Sequence, residues 1–224
     1  MNDPFEKSRE NAMRAENLPA LFEAWKAAHR AELSPENTTF PRCPCCGSSP
    51  DPEVFRDSFC KDGYFNPNRF NGVLVVCRES NVTGEIRKRQ AVKDRFWLRE
   101  EAEAGRRNRY LEYLEGVLPQ MGYPEDSMKN SAWMNLNKRG GYGSCTAERL
   151  SNYVKRYQDF IRREIEIICP SAIACAGTFG HVRFIFRGGF SSLPDVQLYD
   201  VYHPASRRRN RIKGIDNREG VRIG

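Results

Sequence analysis

The chain has 224 residues, 29% of them charged and 39% hydrophobic, an ordinary balance for a globular protein with a sizeable core. No apolar run approaches the roughly 18 residues of a membrane span, and the N-terminus lacks the apolar segment of a secretion signal, so a cytoplasmic protein is expected. The formal charge of +7 favours an acidic partner, nucleic acid first and an anionic membrane second. In that compartment the eight cysteines stay reduced unless a metal holds some of them.

Residues 3–33 read as an interrupted helix. Asp3-Pro4 and Asn17-Leu18-Pro19 are start signals, and Leu18, Leu21, Phe22, Trp25 and Ala28 mark one helical face. Ser34-Pro35-Glu36-Asn37 ends it. In the following Cys43-Pro44-Cys45-Cys46-Gly47, Cys43 and Cys46 have the C-x-x-C spacing of a zinc knuckle. A structural zinc is closed by a full tetrahedral set; Cys60 is the natural third ligand and His29 the first choice for the fourth, with Cys45 and Cys77 as alternatives. An iron–sulfur cluster and unligated thiols are the competing readings. No organic cofactor is expected. Residues 1–70 thus read as a helical segment with a Cys-rich knuckle, packed on an α/β domain of residues 71–224.

That domain opens with Gly72-Val73-Leu74-Val75-Val76-Cys77, a continuous apolar run that fits a strand buried on both faces. Residues 86–118 combine dense charge with spaced apolar residues, predicting one or two amphipathic helices broken near Gly105. Residues 131–138 predict a second strand, followed by a loop with glycines at 140, 141 and 143. The clearest helix spans about 148–168 with Thr146 as its cap; Leu150, Tyr153, Val154, Tyr157, Phe160, Ile161, Ile165 and Ile168 recur at helical spacing. Cys169-Pro170 stops it. Residues 172–177 form a third predicted strand, and 196–202 a fourth, halted by Pro204. Strands alternating with helices predict an α/β fold: a mostly parallel central sheet of about four strands flanked by helices. Sites in such sheets form beyond the carboxyl ends of strands, where Glu79, Asn135, Thr178 and His203 stand. Arg207, Arg208, Arg209, Arg211 and Lys213 follow His203 within a few residues.

Four of these segments, in order, resemble the motifs of the uracil-DNA glycosylase superfamily. Cys77-Arg78-Glu79-Ser80-Asn81 is similar to the first motif, a strand leading to a carboxylate or amide at the third position. Trp133-Met134-Asn135-Leu136-Asn137-Lys138 resembles the strand that ends in a base-reading asparagine. Residues 160–177 resemble the family's succession of helix, proline, strand and glycine. His203-Pro204-Ala205-Ser206 resembles the histidine-proline-serine motif that leads into the loop entering the duplex. The resemblance spans about residues 70–215. Cys77 replaces the usual glycine and Ser80 the usual proline, which bears on the substrate more than on the fold.

The resemblance implies roles. Glu79 stabilises an oxocarbenium-like sugar and positions or activates water. His203 donates a hydrogen bond to the oxygen of the leaving base, as a neutral imidazole whose protonation the nearby arginines disfavour. Asn135 reads the flipped base, with Asn81 and Arg78 lining the same pocket. Phe96, Trp97, Tyr110 and Tyr142 compete as its stacking platform. Arg207, Arg208, Arg209, Arg211 and Lys213 grip phosphates. No lysine stands out as a Schiff-base nucleophile, and His181 reads as structural. The expectation is a monomeric, monofunctional glycosylase acting on single- or double-stranded DNA and on no membrane. Its substrate is uracil or, better, a modified pyrimidine such as a modified or glucosylated cytosine of phage DNA, in antiviral defence. The alternative is a non-catalytic, zinc-containing nucleic-acid-binding module. A hydrolase of free nucleosides is a third reading, but it has no use for the arginine run.

Overall fold

The structure, a computed structural model, describes residues 3–32, 59–79, 97–106, 108–139, 146–187, 193, 195–204, 206, 212–216 and 221–223. Cys43, Cys45, Cys46, Asn81, Arg207, Arg208, Arg209 and Arg211 lie outside the described residues. In chain order the elements are α1 (Pro4–Met13), α2 (Leu18–Ala31), β1 (Gly63–Tyr64), β2 (Val73–Glu79), α3 (Trp97–Glu103), α4 (Arg109–Val117), β3 (Ala132–Asn137), α5 (Ala147–Arg156), α6 (Gln158–Ile168), β4 (Ala172–Ala176), α7 (Phe179–Ile185), β5 (Gln197–Val201), β6 (Ile212–Asp216) and β7 (Val221–Ile223). Among the described residues no helix is long and apolar enough to cross a membrane.

The chain forms two compact units: Met1–Lys61, Glu79–Arg95 and Asn135–Ile167 make the first, and Asp62–Arg78, Phe96–Met134 and Ile168–Gly224 the second. The units do not divide at the boundary expected near residue 70, because helices from mid-chain complete the core begun by α1 and α2. That core is aromatic. Trp25 stacks on Tyr157 at 6.1 Å between ring centroids, Tyr157 stacks on Tyr153 at 4.5 Å, and Phe160 packs on both Trp25 and Tyr157. The cap signals are realised: Asp3 and Asn17 accept from the backbone of Phe5 and Ala20 at 2.9 and 3.0 Å. Thr146 likewise accepts from Arg149 at 3.3 Å. The single helix expected over 148–168 is two, α5 and α6, which meet at Tyr157. Apolar spacing runs on unchanged through the joint, so periodicity gives no sign of it.

The same core buries charge. Lys138 Nζ lies 2.9 Å from both carboxylate oxygens of Glu164, with neither side chain exposed. Its ammonium sits 5.4 and 5.8 Å from the ring centroids of Trp25 and Phe22. Glu32 is equally buried and accepts from Arg139, from Arg156 at 2.8 Å and from the Tyr157 hydroxyl at 2.6 Å.

In the second unit the strands follow the order β1-β3-β2-β4-β5-β6-β7, with the last residues of β2 and β3 assigned to the first unit. The fold is α/β, as expected, but the sheet is larger than four strands and is mixed. β2–β4 and β4–β5 are parallel; β1–β3, β5–β6 and β6–β7 are antiparallel. The extra strands come from segments too short or too charged to read as strands, such as Ile212-Lys213-Gly214-Ile215-Asp216. One sheet face carries Val73, Val75, Cys77, Ala174 and Ala176, which pack against Leu111, Tyr113, Leu114 and Val117 of α4. As expected, β2 and β4 are buried along nearly their whole length. α7 packs on β4 and β5.

Candidate active site

Parallel pairing of β2, β4 and β5 brings their carboxyl ends to one edge of the second unit, where Val76 is in register with Cys175 and Ala176 with Val201. Gly177 follows β4 at φ +68°, a left-handed conformation that side chains rarely adopt. A Cβ there would stand 3.3 Å from Arg78 Nε and Nη2 and 3.4 Å from His203 Cβ. The guanidinium and the histidine therefore close on one glycine from two different strands. Arg78 Nε donates to the Gly177 carbonyl at 3.3 Å. The edge is tied together locally: Thr178 Oγ1 donates to the Val76 carbonyl at 2.8 Å, and Gly177 N–H to Val201 O at 3.0 Å. Ser206 N–H donates to His203 O at 2.7 Å, closing the turn that Pro204 begins.

Replacing Gly177 by alanine is expected to cost about 1–2 kcal/mol of stability, from the left-handed backbone alone. It also displaces Arg78 or His203. Urea denaturation gives the first effect, and the shifted histidine resonances in an NMR spectrum give the second.

Burial and the Arg78 charge push the His203 imidazole down to about 4. The expected source of that charge, residues 207–211, lies outside the described residues; Arg78 supplies it from β2. His181, on α7, is lowered by the same two causes in the same order. The Tyr110 ring meets His203 edge-on at 6.3 Å and Trp133 edge-on at 5.7 Å. Of the competing aromatics, Phe96 and Tyr142 lie outside the described residues, and Tyr110 stands beside His203. Its helical context on α4 made it indistinguishable from a core residue.

A depressed histidine has a stability signature. An unfolded histidine takes its proton near pH 6.5, and His203 takes it only near 4. Between those values the unfolded chain binds more protons, so stability rises with pH. It is complete above about 6.5 and is lost as pH falls towards 4. Urea midpoints measured across this window are expected to fall less steeply for His203→Gln than for the wild type. Equal slopes would mean that His203 titrates normally.

In the first unit Glu79, the last residue of β2, is held at both oxygens. Oε1 accepts from Arg149 and Oε2 from Asn137 Nδ2 at 2.9 Å, and the side chain is only 2% exposed. Asn137 Oδ1 in turn accepts from the Arg139 backbone at 2.9 Å. Each carboxylate oxygen keeps a second acceptor site. Neither partner was singled out in the sequence, where Arg149 reads as one more charge on an amphipathic helix. Asn135 is buried, with Nδ2 3.6 Å from Cys60 Sγ. Lys213 lies on β6, 3.3 Å from Asp200 Oδ1 and 4.6 Å from the Tyr202 ring centroid.

His29 is buried against Tyr153. The Tyr153 hydroxyl accepts from Trp25 Nε1 at 3.0 Å and from the Lys138 backbone at 3.3 Å, so its own proton goes to His29 Nε2 at 2.9 Å. That fixes Nε2 as an acceptor, in keeping with a pKa driven well down by burial and by Arg139. Only Nδ1 remains for a metal. Among the described residues no three His, Cys, Asp or Glu side chains gather as a metal site. No family model, curated protein or solved structure matches this chain.

Proposed function

We propose that this protein is a monofunctional DNA glycosylase that flips a base and hydrolyses its N-glycosidic bond, leaving an abasic site. One observation carries the reading. His203, neutral through burial and Arg78, stands at the carboxyl edge of three parallel strands, with the basic run next in the chain. Heterolysis of the bond puts positive charge on the sugar and negative charge on the base. A neutral imidazole N–H aimed at a base oxygen stabilises the second charge without giving up its proton. A rigid carboxylate serves the first, and Glu79, fixed by Arg149 and Asn137, is rigid. Asn135, Asn81 and Arg78 are proposed to bind the base, and Arg207, Arg208, Arg209, Arg211 and Lys213 the phosphates.

The substrate class we favour is a modified pyrimidine, such as the modified or glucosylated cytosines of phage DNA, with antiviral defence as the setting. The replacements at Cys77 and Ser80 support it. A structural zinc on Cys43, Cys46 and Cys60 remains part of the proposal, with His29 limited to Nδ1; no catalytic step passes through it. The Arg149 ion pair favours a second reading, in which Glu79 is a structural charge and the chain binds nucleic acid without cleaving it.

The test is release of free base, followed by mass spectrometry, from unmodified DNA and from DNA carrying uracil, modified cytosine or glucosylated cytosine. Release by wild type and not by His203→Ala supports the glycosylase and names its substrate. Silence across the panel, with salt-sensitive DNA binding retained, supports the binding module.

A further inference from the structure

We propose that the outward face of α7 is a second nucleic-acid surface, on which unpaired nucleotides stack. That it receives the strand next to the target base rests on the glycosylase reading; that it takes nucleic acid does not. α7 packs on β4 and β5 and buries Val182 and Ile185 completely. Gly180, Arg183, Phe184 and Arg187 stand at i, i+3, i+4 and i+7, the spacing of one helical stripe. The stripe runs into the closing turn, where Arg187 N–H donates to Phe184 O at 3.3 Å. Gly180, Arg183 and Arg187 are exposed and Phe184 is partly buried.

Both arginines pack on rings. The Arg183 guanidinium lies 5.7 Å from the Phe179 ring centroid, and that of Arg187 lies 5.1 Å from the Phe184 centroid. A guanidinium seated on an aromatic ring is weakly hydrated and planar; its other face can take a second π-system and its N–H edge a phosphate oxygen. Gly180 keeps the start of the stripe bare. Among the described residues no heavy atom lies within 4 Å of where its Cβ would be, so a flat ligand can approach the helix backbone there.

Charge selects the partner. From Ile167 to Pro194 the sequence contains no Asp or Glu, and Arg183 and Arg187 fall inside that stretch. An acidic polymer complements it. An anionic membrane fits less well, because α7 exposes no large apolar side chain to enter a bilayer. Unpaired bases suit the guanidinium faces, since every base offers a π-face that a duplex keeps inside its stack. α7 begins two residues after Gly177, at the strand edge where His203 stands. Its seven residues are about 10 Å long, room for about three nucleotides at the spacing of one strand.

Fluorescence anisotropy with the full chain, a labelled oligothymidylate and a duplex of the same length tests the surface. Replacing both arginines, Arg183→Gln with Arg187→Gln, is expected to weaken single-strand binding about tenfold or more. The slope of log affinity against log salt should fall by about 1.4, the value for two phosphate contacts on a single strand. Duplex affinity should change little. Arg183→Lys with Arg187→Lys keeps both charges but not the planar faces, so it should keep the wild-type salt slope and still bind the single strand about fivefold more weakly. Thermal melts establish that both variants fold. Unchanged single-strand affinity in the glutamine variant, an equal loss for the duplex, or a lysine variant that binds as wild type does overturns the proposal. So does binding to phosphatidylserine vesicles that the glutamine variant loses while its oligonucleotide affinity stays the same. Base release from DNA, assayed alongside, separates the two ideas. Release by a protein whose single-strand binding ignores both variants leaves the glycosylase standing and removes the α7 surface; the expected losses without release from any DNA do the reverse.

Discussion

If the proposed glycosylase reading is right, His203→Ala is expected to slow base release about 100- to 1,000-fold, the usual loss when one donor to a developing anion is removed. Affinity for DNA should change little, because phosphate contacts, not the base donor, dominate it. The comparison belongs in single-turnover experiments, where product release does not mask the chemical step. His203→Gln is the informative partner: its amide N–H can reach a base oxygen, so part of the rate should return. A structural histidine would behave differently. Its loss would lower the unfolding midpoint and DNA affinity together, and glutamine would restore neither selectively. The turn after His203 is closed by backbone bonding from Ser206 N–H to His203 O.

Glu79 is a contrasting case under the same proposal. Its carboxylate balances Arg149 in a buried pair, so Glu79→Ala removes a catalytic candidate and an ion-pair partner at once. A fall in rate for that variant would not separate the two roles. His203 carries the decisive measurement, because its glutamine variant keeps an N–H donor as a control.

What was legible in the sequence was legible through period. β2 and β4 are unbroken apolar runs, and α2, α5 and α6 show their buried faces as regular spacing, so fold class and the core strands could be read directly, whereas Asn135, expected at a strand end, lies inside β3. β6 and β7 could not, because a strand that pairs at the margin of a sheet need not be apolar. Lys213, proposed to contact phosphate, lies on one of these strands beside an aspartate. Buried charges were the harder failure. Glu32, Lys138, Arg139, Arg149 and Glu164 carry no local mark that distinguishes them from solvated residues. Their burial follows from partners far along the chain, as with Glu79 and Arg149, 70 residues apart. Candidate residues can be found at strand ends, but their electrostatic surroundings come only from the assembled fold.

Glu164→Gln is expected to destabilise the protein by about 3–5 kcal/mol, a large share of the roughly 5–15 kcal/mol that holds a typical domain together. The reason is the Lys138 ammonium. It is fully buried, 2.9 Å from both Glu164 oxygens, and the rings of Trp25 and Phe22 lie over it. Those aromatic faces attract a cation but do not neutralise it. Without the carboxylate, Lys138 must either remain charged in an apolar site or give up its proton, and both are costly. Urea denaturation of Glu164→Gln against wild type measures the loss as a shift in midpoint at unchanged slope. Lys138→Met combined with Glu164→Leu should recover most of it, because a buried pair replaced by apolar residues of similar volume is often neutral or better. The double-mutant cycle then isolates the coupling between the two charges. If Glu164→Gln costs under about 1 kcal/mol, water reaches the pair and the site is not apolar. A full loss with recovery in the double variant would mean that the pair contributes specificity and not stability. Its service is then to hold Lys138, whose backbone N–H donates to the Tyr153 hydroxyl and whose carbonyl accepts from Cys60 N–H, in register with the aromatic core beneath the end of β3.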